Sequence, residues 1–191
     1  MQMILASASP RRKELLGLFG FPFAVRAADI DETMDPSLPP EREVARVSRA
    51  KALATAREPE DVVIAADTIV VCDGLVLGKP RSAADACRML KLLSGRDHQV
   101  MTGCTVVCGE RSETFTEITR LHFRPLSQQE IEAYVATGEP MDKAGAYGIQ
   151  GGAALFCQRM EGDYYNVMGL PVCRLGQCLR RLVPEVMKEA L

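Results

Sequence analysis

The sequence predicts an α/β fold with a mixed β-sheet flanked by helices, on three observations. Helix-patterned segments alternate with strand-patterned ones along the chain. One stretch, Val62 to Val71, is apolar on almost every residue, too continuously for a half-exposed strand, and reads as a buried central strand. Asp73-Gly74 right after it is the signature of a tight hairpin, so at least one strand pair is antiparallel. The 191 residues suit a single domain spanning 1–191, with room for two lobes, and a 47% hydrophobic content is enough for a core.

The elements follow in chain order. Met3 to Leu5 reads as a first strand. Ser9 is a favoured helix N-cap and Pro10 suits the first helical position, so a helix starts there. Gly20 and Pro22 break it, and Phe23 to Ala27 reads as a second strand. After the acidic run of Asp29, Asp31, Glu32 and Asp35, Pro40 opens a long helix to about Arg57. The buried strand and the return strand Leu75 to Leu77 come next. Ser82 caps a helix to about Leu93, closed by Gly95. Val100 to Val107 and Glu113 to Phe123 read as strands joined by a turn at 109–112. In the second, Phe115, Ile118, Leu121 and Phe123 share a face only if a bulge intervenes. Ser127 caps a helix to about Thr137. A glycine-rich stretch at 144–152 leads to a strand near Ala154 to Arg159, a turn at Glu161-Gly162-Asp163, and a final helix opened by Leu170-Pro171.

Composition removes several function classes. A net charge of −2 argues against bulk affinity for nucleic-acid backbone. No uncharged apolar run approaches the roughly 18 residues that cross a membrane, and the first ten residues lack the pattern of a secretory signal. The seven cysteines are scattered without a C-x-x-C pair, which favours reduced thiols in a cytoplasmic setting over a structural zinc site.

The chemistry begins at Ser7 to Arg12. A helix start carries partial positive charge and normally attracts acids, yet Arg11, Arg12 and Lys13 fill this first turn. With Ser7 and Ser9 beside them, the free N–H groups and guanidinium forks form either a phosphate site or a solvated basic start. Asp67 interrupts the buried strand. A carboxylate there needs a partner, so it is expected at the strand's end beside a cleft or a cation, as a backbone cap, a metal ligand or a general base. Thr68 follows and points the other way unless the strand bends. On the long helix, Val44, Val47, Lys51 and Ala54 share an apolar face, while Arg42, Arg46, Arg49 and Arg57 form a solvated stripe opposite. Lys51 is the odd cation, reaching a cleft or snorkelling to solvent. Lys79-Pro80 presents a lysine at the end of the return strand. In the glycine-rich stretch, backbone could approach a ligand closely, and Gln150 either reads a base edge or braces the loop. His98 and His122 lack a nucleophile pattern and read as structural. Glu32 and Asp67 with Arg11, Arg12, Lys51 and Lys79 are suited to metal-assisted attack of water on a phosphate ester or anhydride.

Five stretches, in order, carry a resemblance: Leu-Ala-Ser-Ala-Ser-Pro-Arg-Arg (5–12), Ala-Ala-Asp-Thr-Ile-Val (65–70), Gly-Lys-Pro (78–80), Asp-Lys-Ala-Gly-Ala-Tyr-Gly-Ile-Gln-Gly (142–151) and Tyr-Asn-Val-Met-Gly-Leu-Pro (165–171). Together they resemble the Maf family of nucleoside triphosphate pyrophosphatases, once described as septum-formation inhibitors. The resemblance implies an elongated mixed sheet in two lobes around a cleft, inosine triphosphatase-like, and usually a homodimer. It implies hydrolysis of a nucleoside triphosphate to the monophosphate and pyrophosphate with a divalent metal, Mg²⁺ or Mn²⁺. Asp67 matches the family's proton acceptor, and Arg12, Thr68 and Gln150 match the positions tied to substrate choice. The 142–150 stretch looks like the branch acting on dTTP and UTP.

On that basis Ser7, Ser9, Arg11, Arg12, Lys51 and Lys79 are expected to hold phosphates, and Glu32 and Asp67 a metal. The expected role is removal of surplus or noncanonical nucleotides, with no nucleic-acid or membrane partner. A nucleotide-binding regulator of cell division without catalysis, a 7-methyl-GTP pyrophosphatase and a general phosphatase stay open as alternatives.

Overall fold

The computed structural model describes residues 1–27, 29–56 and 58–188. Their strands form one mixed seven-stranded sheet, in the order β2-β1-β3-β5-β6-β7 with β4 paired to β3, flanked by helices. The elements are β1 (Met3–Leu5), α1 (Pro10–Gly17), β2 (Ala24–Val25), α2 (Pro40–Thr55), β3 (Val62–Cys72), β4 (Leu75–Leu77), α3 (Ala83–Leu93), β5 (Asp97–Cys108), β6 (Arg111–Phe123), α4 (Gln128–Ala136), β7 (Cys157–Glu161), α5 (Tyr164–Met168), α6 (Val172–Leu182) and α7 (Pro184–Met187). The chain divides into two compact units, the first made of Met1–Asp67, Thr102–Glu117 and Gly169–Leu191, the second of Thr68–Met101 and Ile118–Met168.

In the first unit β1 runs parallel to β2 and to β3, with Leu5 opposite Ile64. Strand alternation puts Val63 and Ala65 on one face of β3, where they join Ile4, Ala6, Val107 and Ala52 of α2 in a buried cluster. Helix α2 lies close because Gly103 of β5 has no side chain. A Cβ there would stand 2.3 Å from the carbonyl oxygen of Val44. The inner face of α2 is Val44, Val47, Ser48, Lys51, Ala52 and Thr55. Ala54, expected on that face, is exposed. Thr55 occupies the inner place because its hydroxyl is satisfied locally, donating to the Lys51 carbonyl at 2.9 Å. The arginine stripe is exposed at Arg42, Arg46 and Arg49, and Arg57 lies outside the described residues. Arg46 is more than solvated: it holds the buried Glu43 carboxylate, with Nε at 2.9 Å.

In the second unit the β3–β4 hairpin turns at Asp73 (φ 49°) and Gly74 (φ 76°), as a two-residue turn with both residues left-handed requires. Helices α3 and α4 start at Ser82 and Ser127, and Glu130 completes a reciprocal capping box on the latter. Three expectations are corrected. On β6 the buried alternation runs Thr119, Leu121, Phe123, and Ile118 is exposed. The Thr119 hydroxyl accepts from Asn166 Nδ2 at 2.9 Å, which makes a polar side chain tolerable inside, and the bulge falls later, between His122 and Phe123. The strand expected near Ala154 starts only at Cys157, because Gly152–Leu155 close a 3-10 turn, with Ala154 N–H donating to Gly151 O at 3.0 Å. A short helix, α5, follows the Gly162 turn where none was expected. His98 and His122 are structural, as the sequence suggests. His98 is buried against Phe123 and bonded to the Tyr147 hydroxyl at 2.9 Å, and His122 pairs with Asp97 at 2.8 Å.

Candidate functional site

The site in the first unit is built from the C-terminal end of β1 and the middle of β3. Because β1 and β3 are parallel, the loop that leaves β1 travels in the direction that takes β3 from Ile64 to Asp67. Ser9 caps α1, its hydroxyl accepting from Arg12 N–H at 3.5 Å, and Pro10 occupies the first turn. No acid enters that turn, so its partial positive charge and the arginines reinforce one another. Ser7 Oγ is the local acceptor, taking Ser9 N–H at 3.2 Å and Arg12 Nη1 at 3.2 Å. Arg12 Nε donates to the Gly169 carbonyl at 2.9 Å, an anchor 157 residues away that leaves no local signal in the sequence. Burial pulls the Arg12 guanidinium below its ordinary pKa while Asp67 and Glu32 oppose that pull, so its field and theirs overlap. An arginine keeps its charge through such a shift.

Asp67 is not at a strand end. It is the sixth of eleven residues in β3, and it and Thr68 are the two half-buried residues of a strand that is otherwise buried. The alternation that buries Val63 and Ala65 under α2 places Asp67 on the same face, where Lys51 precedes the buried Ala52. Lys51 Nζ meets Asp67 Oδ1 at 2.7 Å and Glu32 Oε2 at 2.8 Å. The Lys51 side chain is only 10% exposed and that of Asp67 15%, against 55% for Glu32. Neither open fate of Lys51, cleft or solvent, describes this arrangement alone: its ammonium is buried, paired and flanked by one inner and one outer carboxylate.

Those two carboxylates already converge on a single cationic atom, which is the behaviour a divalent ion would ask of them. Hard oxygen donors suit Mg²⁺ or Mn²⁺, and Mg²⁺ characteristically takes one or two carboxylates and completes its shell with water and phosphate oxygens. Among the described residues no group of three or more His, Cys, Asp or Glu side chains comes together, so the protein offers a partial shell. Two carboxylates are donors that such an ion accepts, with the rest of its shell supplied from elsewhere.

The remaining predicted residues lie in the second unit. Thr68 is half-buried on β3, Lys79 is exposed just after β4, and Gln150 is exposed in a turn. The glycines around Gln150 serve the protein's own packing. Gly145 (φ 69°) lies where a Cβ would stand 2.8 Å from Val70 Cγ2, and its N–H donates to Gly78 O at 3.0 Å. A hollow of about 380 Å³ in this unit is lined by Asp97, Arg120, Arg159 and Glu161 among others and shares no residue with the predicted site.

A mixed α/β sheet thus carries a capped helix start loaded with arginines, beside a lysine held by two carboxylates. The chain belongs to the Maf-like protein family, whose model matches residues 2–182. It is 51% identical over 179 residues to a dTTP/UTP pyrophosphatase of Bacillus pumilus, covering 93% of this chain and 95% of that one. It is 52% identical over 183 residues to a dTTP/UTP pyrophosphatase of Geotalea uraniireducens, covering 94% of each. A HAM1 protein from Coxiella burnetii shares the fold at a TM-score of 0.53 and 13% identity, with 95% of this chain and 99% of that chain covered.

Proposed function

We propose that this protein hydrolyses dTTP and UTP to the monophosphate and pyrophosphate, as a house-cleaning enzyme of the nucleotide pool. The observation that carries the reading is the Lys51 ammonium held between Asp67 and Glu32, next to an arginine-loaded helix start. The half-identical relatives bearing the name dTTP/UTP pyrophosphatase support the substrate choice.

In this reading the N–H groups of α1, the Ser7 and Ser9 hydroxyls and the forks of Arg11 and Arg12 bind the phosphates. Lys51 and Lys79 offset the charge that accumulates as pyrophosphate leaves. Asp67 orients a water for attack on the α-phosphorus and takes its proton, while the water oxygen forms the new P–O bond and the bond to the bridging oxygen of the departing pyrophosphate breaks. Glu32 and Asp67 would hold Mg²⁺ or Mn²⁺, and such an ion supplies further neutralisation of the phosphate oxygens. Catalysis is then positioning plus electrostatics, as in phosphoryl transfer generally. Arg12, Thr68 and Gln150 select the base. A homodimer and a cytoplasmic setting belong to the same proposal, and seven unpaired thiols suit a reducing compartment.

The test is a panel of dTTP, UTP, CTP, GTP and 7-methyl-GTP read for both pyrophosphate and orthophosphate. Pyrophosphate release with dTTP and UTP foremost is the expected result. Orthophosphate release would make the protein a general phosphatase, binding without release a regulator, and preference for 7-methyl-GTP a member of the other branch.

A further inference from the structure

The loop that carries Gln150 is held by two side chains from the segment before it. Tyr134 Oη accepts from Gly148 N–H at 3.0 Å and donates to Glu139 Oε1 at 2.9 Å, while Glu139 Oε2 accepts from Gly152 N–H at 3.1 Å. Gln150 is the central residue between those two anchored amides. The turn is closed beneath it by Gly151 N–H on Gly148 O at 3.0 Å. The fit is close. A Cβ at Gly151 would stand 2.0 Å from Glu139 Oε1, so a side chain there would force the carboxylate to move, and one at Gly148 would crowd the Lys143 side chain at 2.8 Å and the same carboxylate oxygen at 3.0 Å. Lys143 Nζ donates to the Glu139 carbonyl at 2.6 Å, and the Tyr134 ring packs edge-on to Phe156 at 5.2 Å, which fixes the two clamping residues themselves.

We infer that Glu139 and Tyr134 are positioning residues for base selection, a clamp that sets the direction in which Gln150 presents its amide. The inference rests on the reading of Gln150 as a base-selecting residue. An amide distinguishes bases by where its donor and acceptor point, and a glycine-rich loop left to itself samples many directions. A carboxylate is suited to ending that freedom, because it only accepts: one oxygen takes the Gly152 N–H and the other the Tyr134 hydroxyl that itself holds Gly148. Neither clamping group needs to touch the substrate.

The test is initial-rate kinetics with dTTP and CTP on the full-length protein and four variants. Tyr134→Phe removes one oxygen and keeps the ring. Glu139→Gln keeps the shape and one acceptor, Glu139→Ala removes the clamp, and Gln150→Ala is the reference. Tyr134→Phe and Glu139→Ala should raise KM for dTTP on the order of tenfold, below the hundredfold that an ångström of misplacement can cost. Their dTTP-over-CTP preference should fall toward that of Gln150→Ala, with kcat within about twofold of the parent, as loss of positioning rather than of chemistry requires. Glu139→Gln should recover part of the preference, which a purely structural role would not reproduce. Tyr134→Phe and Glu139→Gln decide the matter if Glu139→Ala fails to fold. Unchanged KM and preference in the clamp variants, beside a loss in Gln150→Ala, would overturn the clamp and leave the proposed function standing. An unchanged preference in Gln150→Ala would remove the role of Gln150, and the clamp with it.

Discussion

His98 makes the protein's stability depend on pH in a window where most carboxylates are already ionised. The ring is 3% exposed, packed edge-on to Phe123 at 4.7 Å and bonded through Nε2 to Tyr147 Oη at 2.9 Å. Burial lowers its pKa from 6.5 to about 4, against the weaker raising effects of the Arg96 backbone and Asp97. The unfolded chain therefore binds the proton more readily than the native one between these two values, and stability is lost as pH falls from about 6.5 toward 4. At 1.36 kcal/mol per pKa unit, the full shift amounts to roughly 3 kcal/mol, of which about 2 kcal/mol is lost between about pH 7.5 and about pH 5. In a chain of this size that corresponds to a fall in Tm of about 4–8 °C. The assay is urea unfolding at stepped pH for the wild type and His98→Phe. The variant gives up the Tyr147 hydrogen bond and is less stable throughout, but its stability should change less across the window. Parallel pH profiles, or an NMR titration placing His98 near 6.5 in the folded protein, would refute the reasoning.

Two other substitutions bear on the site. Asp67→Asn keeps the shape of β3 and removes the proposed proton acceptor, so kcat for dTTP should fall on the order of a hundredfold or more. Near-normal turnover, with circular dichroism unchanged, would remove Asp67 from its role. Gly103→Ala places a methyl 2.3 Å from the Val44 carbonyl oxygen, which backbone cannot easily yield. Forcing α2 off the sheet should cost about 1–3 kcal/mol in urea unfolding and lower kcat/KM by displacing Lys51. A stable, fully active variant would show that α2 can shift without consequence.

Much of this was legible from the sequence wherever the chemistry is local. Ser9-Pro10, Ser82 and Ser127 mark helix starts because a cap is decided within three residues. Asp73-Gly74 specifies its turn for the same reason. The central strand is readable because burial on both faces leaves a continuous apolar run. What was not legible depends on partners far along the chain. Asp67 is tolerable in mid-strand only because Lys51, sixteen residues earlier, reaches it. Thr119 takes the inner place that Ile118 was expected to fill only because Asn166 satisfies it. Glu139 has no local signal, since nothing in Gly-Glu-Pro says that a carboxylate will reach two later glycines; the glycines at 148 and 151 are the trace it leaves in the sequence.

The lysine between two acids has one more consequence. Aspartate and glutamate brought this close would repel and spread apart in a protein that left them alone, and the geometry would form only when a cation arrived to draw them in. Here the chain supplies that cation from its own helix, fastened by Val44 and Val47 to the sheet below. The acids are consequently in place before any ligand enters. The energy of holding like charges together is met by folding, and substrate binding need not provide it.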